Sequence, residues 1–536
     1  MNKSALSQQK TCYQMLKDCC DLKKGCIVFS GHKISMKTFL KNIEDFSSAL
    51  SRLGFKKGDV LTIYLPTCPQ AIVAFYACSK LGLVANIVHP LTPFEKLKEN
   101  LQQTHSKGLM YYDILVKNHK TLSQTGQILI NCSISNYFVF RKLFLALFAL
   151  SKYKANKKAL KYSKLIRHTK NSTLVEEQGR EKDVVCTMHS GGTSGEPKII
   201  EIQNGALNNL SVCLEQMYTR KIRGGGAEFS LVALPLFHAY GLGVSVHTCL
   251  TNGYSLVLAP KFKPKLYNKI LRKYNVTFFA GVPVMFKKMI EHKNFYGKHL
   301  AKLLDLWCGG DVLTEAFVEH FDTILKRYGS RARLMRGYGL TEVGSVCATN
   351  TFENYRKHSC GKAIPQTKIE IWDENNSPLP PNTIGEIAVC SPSMMKGYLN
   401  EKNGFVKKQK EKWIKTGDMG YLDKDDFLYV LDRRKRSIKI NAINIFPSEI
   451  ETLVKQNQKV DEACAVSYHY KEKTFFKLYI TLKDSMVDHE KLINSLTNLC
   501  RKHLIKYAVP YSIEIIDKMP RTSFGKIDYK KFEIRS

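Results

Sequence analysis

The stretch HSGGTSGEPK at 189–198 packs three glycines, two serines and a threonine into ten residues and closes on Pro-Lys. The backbone N–H groups of such a loop, with the hydroxyls of Ser190, Thr193 and Ser194, can wrap phosphate oxygens while Lys198 supplies a point charge. Two common nucleotide loops are excluded. A P-loop sets lysine directly after its last glycine and a hydroxyl directly after the lysine; here Glu196-Pro197 intervenes and two isoleucines follow Lys198. The G-x-G-x-x-G order of dinucleotide folds fails as well. Loops of glycine, serine and threonine are more commonly linkers, so this one acquires chemical meaning only through partners.

Partners follow in order along the chain: LPLFHAYG at 234–241, CGGD at 308–311, RGYGLTE at 336–342, KTGD at 415–418, DRRKRSIK at 432–439 and PRTSFGKID at 520–528. Together with the loop, whose SGGTSGEPK fits S-[SG]-G-T-[TS]-G-x-P-K throughout, they resemble the signatures of the adenylate-forming superfamily. That superfamily holds acyl- and aryl-CoA ligases, firefly luciferase and the adenylation domains of nonribosomal peptide synthesis. The resemblance runs over nearly the whole chain and implies an AMP-forming acid–thiol ligase. A carboxylate oxygen would attack the α-phosphorus of ATP, giving acyl-AMP and pyrophosphate, and a thiol would then take the acyl group. Such a transfer depends more on positioning and on neutralising charge than on acid–base work.

The resemblance also implies roles. Ser190, Gly191, Gly192, Thr193, Ser194, Gly195 and Lys198 would grip the departing pyrophosphate. Thr341 would donate to the α-phosphate, and Glu342 with Thr193 would hold Mg²⁺. Tyr338 offers a flat face for adenine, with Gly337 and Gly339 allowing close backbone approach, and Gly309, Gly310 and Asp311 line the adenine and acyl pocket. Asp418 would accept both ribose hydroxyls beside Arg433. Lys526 would bridge carboxylate and α-phosphate in the transition state, where its charge contributes most. Lys435 matches the hinge about which a C-terminal domain turns, with Lys439 and Ala442 in the thiolation region beyond it. Two positions depart from the family pattern: Ala442 stands where glycine lines the thiol passage, and Arg336 where glutamine is common. Plainer readings coexist with these. Thr341-Glu342 could start a helix, Asp418 could be a turn residue, Lys526 could be one lysine among many, and His238 could be either a core histidine or a gate to the acyl pocket.

The elements that must hold these residues read as an α/β protein. Residues 34–54 have the spacing of an amphipathic helix. VLTIYLP, LVANIVHP, FSLVALPLF, YSLVLAP and VTFFAGVP read as apolar strands alternating with helices, the rhythm of parallel βαβ units. From Ile369 short strands and Pro- and Asn-rich turns indicate a β-rich subdomain, and α/β alternation resumes after Arg433. The expected architecture is therefore a large N-terminal domain, 1–432, of α/β subdomains plus a β-rich subdomain, and a small mobile α+β C-terminal domain, 433–536. A length of 536 residues supports at least two cores.

Sixteen cysteines without any C-x-x-C pair argue for buried thiols rather than zinc or disulfides. No apolar leader opens the chain, and the eight-residue run LFLALFAL falls short of the roughly twenty residues a bilayer span needs, so a cytoplasmic protein is expected. The net charge of +35 is spread along the chain, which favours solvated lysine faces over a nucleic-acid arm. The apolar-then-basic stretch at 138–170 would suit either an anionic membrane surface or a helix packed on the main domain.

LFHAYG carries no acid to pair with a substrate ammonium, which favours fatty or aryl acids over amino acids. Only fifteen residues separate Glu342 from His358, leaving no room for the insertion of ligases that charge carrier proteins, so CoA is the favoured acceptor. A phosphopantetheinyl carrier protein is the alternative. A basic nucleic-acid-binding protein would account for the charge but for none of the ordered motifs, and no specific nucleic acid is expected.

Overall fold

Ser35 caps the helix Met36–Arg52 by accepting from the Thr38 N–H. Phe39, Ile43, Phe46 and Leu50 recur at helical spacing on one face and are buried, each contributing about 1.5–3 kcal/mol. The next helix, Pro69–Leu81, has proline in its first turn and stops at Gly82, whose φ of 69° suits glycine; all 13 of its residues are buried. The first of these helices falls within the 34–54 stretch whose spacing predicts it. The computed structural model of the chain describes residues 9–112, 122, 126–133, 159–167, 176–189, 198–218, 228–259, 261–311, 313–401, 404–434, 436, 438–440, 443–470, 473–484, 487–505, 508–522 and 527–533. Ser190, Gly191, Gly192, Thr193, Ser194, Gly195, Lys435, Ala442, Lys526 and all but 159–167 of the 138–170 stretch lie outside the described residues.

The described residues of Met1–Ser190, Lys198–Lys368 and Cys390–Gly404 make one compact unit. It contains two large sheets. In the first, Val84–Ile87, Val60–Tyr64, Ser106–Tyr112 and Ile128–Cys132 pair in parallel, and Val184–His189 joins beside Val84–Ile87, also in parallel. Ile199–Gln203 then turns back antiparallel on Val184–His189, and Gly397–Tyr398 adds itself antiparallel to Ile199–Gln203. In the second sheet Leu334–Tyr338, Asp305–Cys308, Val276–Gly281, Phe229–Val232, Ser255–Leu258 and Cys26–Phe29 run parallel. Its edges are antiparallel: Ala348–Thr349 and Lys362–Ala363 at one side, His32–Ser35 at the other. One face of this sheet closes a core with Leu231, Val257, Phe279, Phe286, Leu306, Phe321 and Leu334. The parallel βαβ expectation is borne out.

The described residues of Ile369–Val389 and Phe405–Ser536 form the second unit. A five-stranded sheet holds Lys368–Trp372, Gly385–Cys390, Glu411–Leu422, Phe405–Lys408 and Leu428–Arg433. After it, Val460–Tyr470, Lys473–Leu482 and Ser512–Ile515 make a three-stranded sheet, over which Pro447–Val454 and His489–His503 close a core with Ile450, Val454, Phe476, Leu478, Leu492 and Leu496. The contacts thus group the β-rich segment with the C-terminal residues. At the junction Ser448, in the first turn of Pro447–Val454, donates its N–H to Asp432 at 3.0 Å and its hydroxyl to the Leu431 carbonyl at 2.7 Å.

None of the sixteen cysteines is in a disulfide, and all but Cys19, Cys360 and Cys390 are buried. Among the described residues no helix is long and apolar enough to cross a membrane.

Candidate active site

Two neighbouring parallel strands, Asp305–Cys308 and Leu334–Tyr338, end side by side, the edge at which open α/β sheets place ligands. Past the first come Gly309, Gly310 with φ 83°, and exposed Asp311. Past the second, a Cβ on Gly309 would lie 3.2 Å from the Gly337 carbonyl oxygen, so the two glycine-bearing ends touch through backbone. A Cβ on Gly339 would stand 1.7 Å from the Ser345 carbonyl oxygen, which no side chain permits. That contact folds the chain back into a single 3₁₀ turn, Thr341–Val343, closed by Gly344 at φ 79°. Thr341 and Glu342 therefore open no α-helix. They are half-buried on a tight turn at the strand end, beside Tyr338.

Glu342 is held from two sides. Its carbonyl oxygen accepts from the Met395 N–H at 2.9 Å, and the Tyr398 hydroxyl donates to Oε1 at 3.3 Å. Tyr398 in turn lies beneath Lys198, whose ammonium is 4.5 Å from the ring centroid. Lys198 also pairs with Glu401 at 2.6 Å. The last residue of the 189–198 loop and the carboxylate of the 336–342 motif thus meet on one tyrosine. Sequence reasoning missed Tyr398, because nothing in SMMKGYLN marks its ring and hydroxyl as serving partners 200 and 56 residues away. At the first residue of the loop, burial pushes His189 down to about 4, so its neutral ring accepts from Asn100 Nδ2 at 2.8 Å.

The LPLFHAYG segment runs alongside. A Cβ on Gly241 would lie 2.0 Å from the Pro235 carbonyl oxygen, so the glycine of this motif is set by a backbone crossing. It leads into Tyr240–Thr248, a π-helix that local pattern does not announce; such turns recur at functional sites. The Tyr240 ring comes within 3.8 Å of a Cβ placed on Gly309, and its hydroxyl donates to the Trp307 carbonyl at 3.2 Å. His238, half-buried, packs tilted against Phe237 with ring centroids 4.6 Å apart; Phe237 lies 4.3 Å from His89, and burial lowers the His89 pKa.

Arg336 has a structural explanation. Its guanidinium, 9% exposed, donates to Glu315 Oε2 at 2.6 Å and to the Leu313 carbonyl at 2.8 Å. Burial alone would raise the Glu315 pKa, but the His358 backbone N–H and Arg336 outweigh it and hold the carboxyl below its ordinary value.

In the second unit Asp418, buried, and Arg433, exposed, face each other across antiparallel strands, with Arg433 Nε 2.8 Å from Asp418 Oδ1. The DRRKRSIK motif continues into Arg436, which bonds Glu451 at 2.7 Å and Asp432 at 3.3 Å and lies 3.8 Å over the Tyr529 ring. Lys439 falls in the strand Ile438–Ile440. Either side of Lys526 the chain is pinned: Arg521 bridges Ile527, Asp528 N–H donates to the Pro520 carbonyl at 2.9 Å, and Arg521 pairs with Glu462 at 2.5 Å.

Among the described residues no group of three or more His, Cys, Asp or Glu could hold a metal on its own. Mg²⁺ usually takes one or two carboxylates and completes its shell with phosphate and water, so the single carboxylate of Glu342 fits such an ion better than a protein cage would.

Residues 21–399 match the family model described as AMP-binding enzyme, and 449–526 match the one described as AMP-binding enzyme C-terminal domain. Over 522 residues the chain is 29% identical to a long-chain-fatty-acid–CoA ligase of Bacillus subtilis (strain 168), covering 94% of this chain and 90% of that one. It is 23% identical over 531 residues to 4-coumarate–CoA ligase 4 of Arabidopsis thaliana, covering 95% and 87%. The solved structure of O-succinylbenzoate coenzyme A synthetase from Bacillus subtilis, in complex with ATP and magnesium ion, superposes with a TM-score of 0.79 at 21% identity, covering 98% of this chain and all of that one.

Proposed function

The chain belongs to the AMP-binding enzyme family, and from that premise we propose that it activates a fatty or aryl carboxylic acid as its acyl-adenylate and passes the acyl group to CoA. In the first step a carboxylate oxygen bonds to the α-phosphorus of ATP while the bond from that phosphorus to pyrophosphate breaks. In the second, the thiol of CoA loses its proton and its sulfur bonds to the acyl carbon as AMP leaves. The observation that carries this reading is the turn Thr341–Val343 at the strand end, its carboxylate bonded to Tyr398 and, through that ring, linked to Lys198. A hydroxyl, a carboxylate and a loop cation gathered there suit a polyphosphate whose charge must be balanced before its α-phosphorus can be attacked.

Within this reading Thr341 donates to the α-phosphate, and the loop 190–198 holds the leaving pyrophosphate. Glu342 with Thr193 would hold Mg²⁺, which when bound would supply neutralising charge to the phosphate oxygens. Tyr338 flanks adenine between Gly309 and Gly339. Asp418 and Arg433 already form the pair that two ribose hydroxyls would share. Lys526 enters with a C-terminal part, 433–536, that turns about Lys435 and then withdraws, and Ala442 narrows the thiol's approach. His238, with Phe237, borders the acyl group.

Acceptor identity is the direct test. With a competent fatty or aryl acid, AMP release in the presence of CoA is expected to exceed that with a holo acyl carrier protein by about tenfold or more in kcat/KM. Equal or faster release with the carrier protein would replace CoA by a carrier-bound thiol as the acceptor.

A further inference from the structure

We infer that Tyr398 is a positioning residue that sets Glu342 for its metal ion and holds the phosphate-loop lysine in register with it. The inference rests on the adenylating reading of the same site. Three independent backbone contacts make the segment around Tyr398 a strap. Met395 N–H donates to the Glu342 carbonyl at 2.9 Å, Lys396 N–H to the Glu201 carbonyl at 2.8 Å, and Leu399 N–H to the Ile199 carbonyl at 2.8 Å. The strand pair behind them sets Tyr398 opposite Ile200 and Gly397 opposite Glu201, so the register of the tyrosine is fixed by the strand that begins directly after Lys198. At its near end the strap is pressed against the 3₁₀ turn so closely that a Cβ on Gly344 would lie 2.2 Å from the Ser393 carbonyl oxygen.

On this strap Tyr398 serves two charges with different parts of one side chain. Its hydroxyl engages Oε1 of Glu342, which restrains the carboxylate's rotation. Its ring face lies under the Lys198 ammonium, which also pairs with Glu401 at 2.6 Å, so ring and carboxylate together fix where the lysine sits. A hydroxyl donor to a metal-binding carboxylate tunes metal affinity, whereas a ring under a lysine tunes affinity for the phosphates themselves. The two functions separate by substitution.

Tyr398→Phe keeps the ring and deletes the hydroxyl; Tyr398→Leu deletes both. Binding of ATP is measured calorimetrically, without any acid substrate, once with Mg²⁺ and once in EDTA. For Tyr398→Phe, affinity is expected to fall about fivefold with Mg²⁺ and to stay within about twofold of the unsubstituted protein in EDTA, as for loss of one hydrogen bond of ordinary strength. For Tyr398→Leu, affinity is expected to fall in both conditions. Equal affinities for Tyr398→Phe and the unsubstituted protein in Mg²⁺, or equal losses with and without Mg²⁺, would overturn the inference. If Tyr398→Leu fails to fold, Tyr398→Phe alone decides, since it removes one oxygen and no packing. Failure of the underlying reading looks different: the unsubstituted protein would then bind no ATP at all.

Discussion

Lys526→Ala is expected to slow acid-dependent exchange of pyrophosphate into ATP by about 10²–10³-fold. Transfer to CoA from a supplied acyl-adenylate should stay within about twofold. Both expectations follow from where the charge is needed. As the carboxylate closes on the α-phosphorus, negative charge gathers between two groups that already repel, and a lysine between them stabilises that arrangement more than it stabilises either ground state. Thioester formation breaks the acyl–phosphate bond and needs no such bridge. The fold gives little reason to expect unfolding. The pairing of Arg521 with Ile527, the Pro520–Asp528 hydrogen bond and the Arg521–Glu462 ion pair are all made by other residues. An equal loss in both half-reactions would assign Lys526 to structure rather than to adenylation.

Gly339→Ala is expected to remove ATP binding and exchange together, by at least about a hundredfold, while costing about 1–3 kcal/mol in stability. A methyl there would lie 1.7 Å from the Ser345 carbonyl oxygen and 2.6 Å from its carbon, so the turn carrying Thr341 and Glu342 must move off the strand end. Gly337→Ala is the matched control for stability: its methyl would meet no protein atom nearer than 3.4 Å, so its thermal melt should stay close to that of the unsubstituted protein. Exchange kinetics read beside a thermal melt separate the two outcomes. Wild-type exchange in Gly339→Ala would mean that the turn does not position the reacting groups.

Much of the scaffold is visible in the sequence because it is built from local rules. The Ser35-capped helix, the proline-started and glycine-stopped helix over 69–81, and the strands FSLV, SLVL and VTFFAG all follow from short-range period and punctuation. The glycines of LPLFHAYG and RGYGLTE are recognisable as motif residues, but only the packed chain gives their reason, since Gly241 and Gly339 each meet a carbonyl oxygen several residues away. What sequence reasoning misses is set by long-range pairing. Arg336 looks like a departure until Glu315, on a neighbouring helix, is found to hold it. Tyr398 lacks any local mark, and the π-helix Tyr240–Thr248 has the composition of an ordinary apolar helix.

The central claim is that this chain makes an acyl-adenylate, and exchange of labelled pyrophosphate into ATP reads that step alone. With Mg²⁺ present, exchange should require a carboxylic acid, respond to fatty or aryl acids and remain at background with amino acids. A folded sample that shows no exchange with any acid in the panel, or the same exchange without acid, would contradict the account.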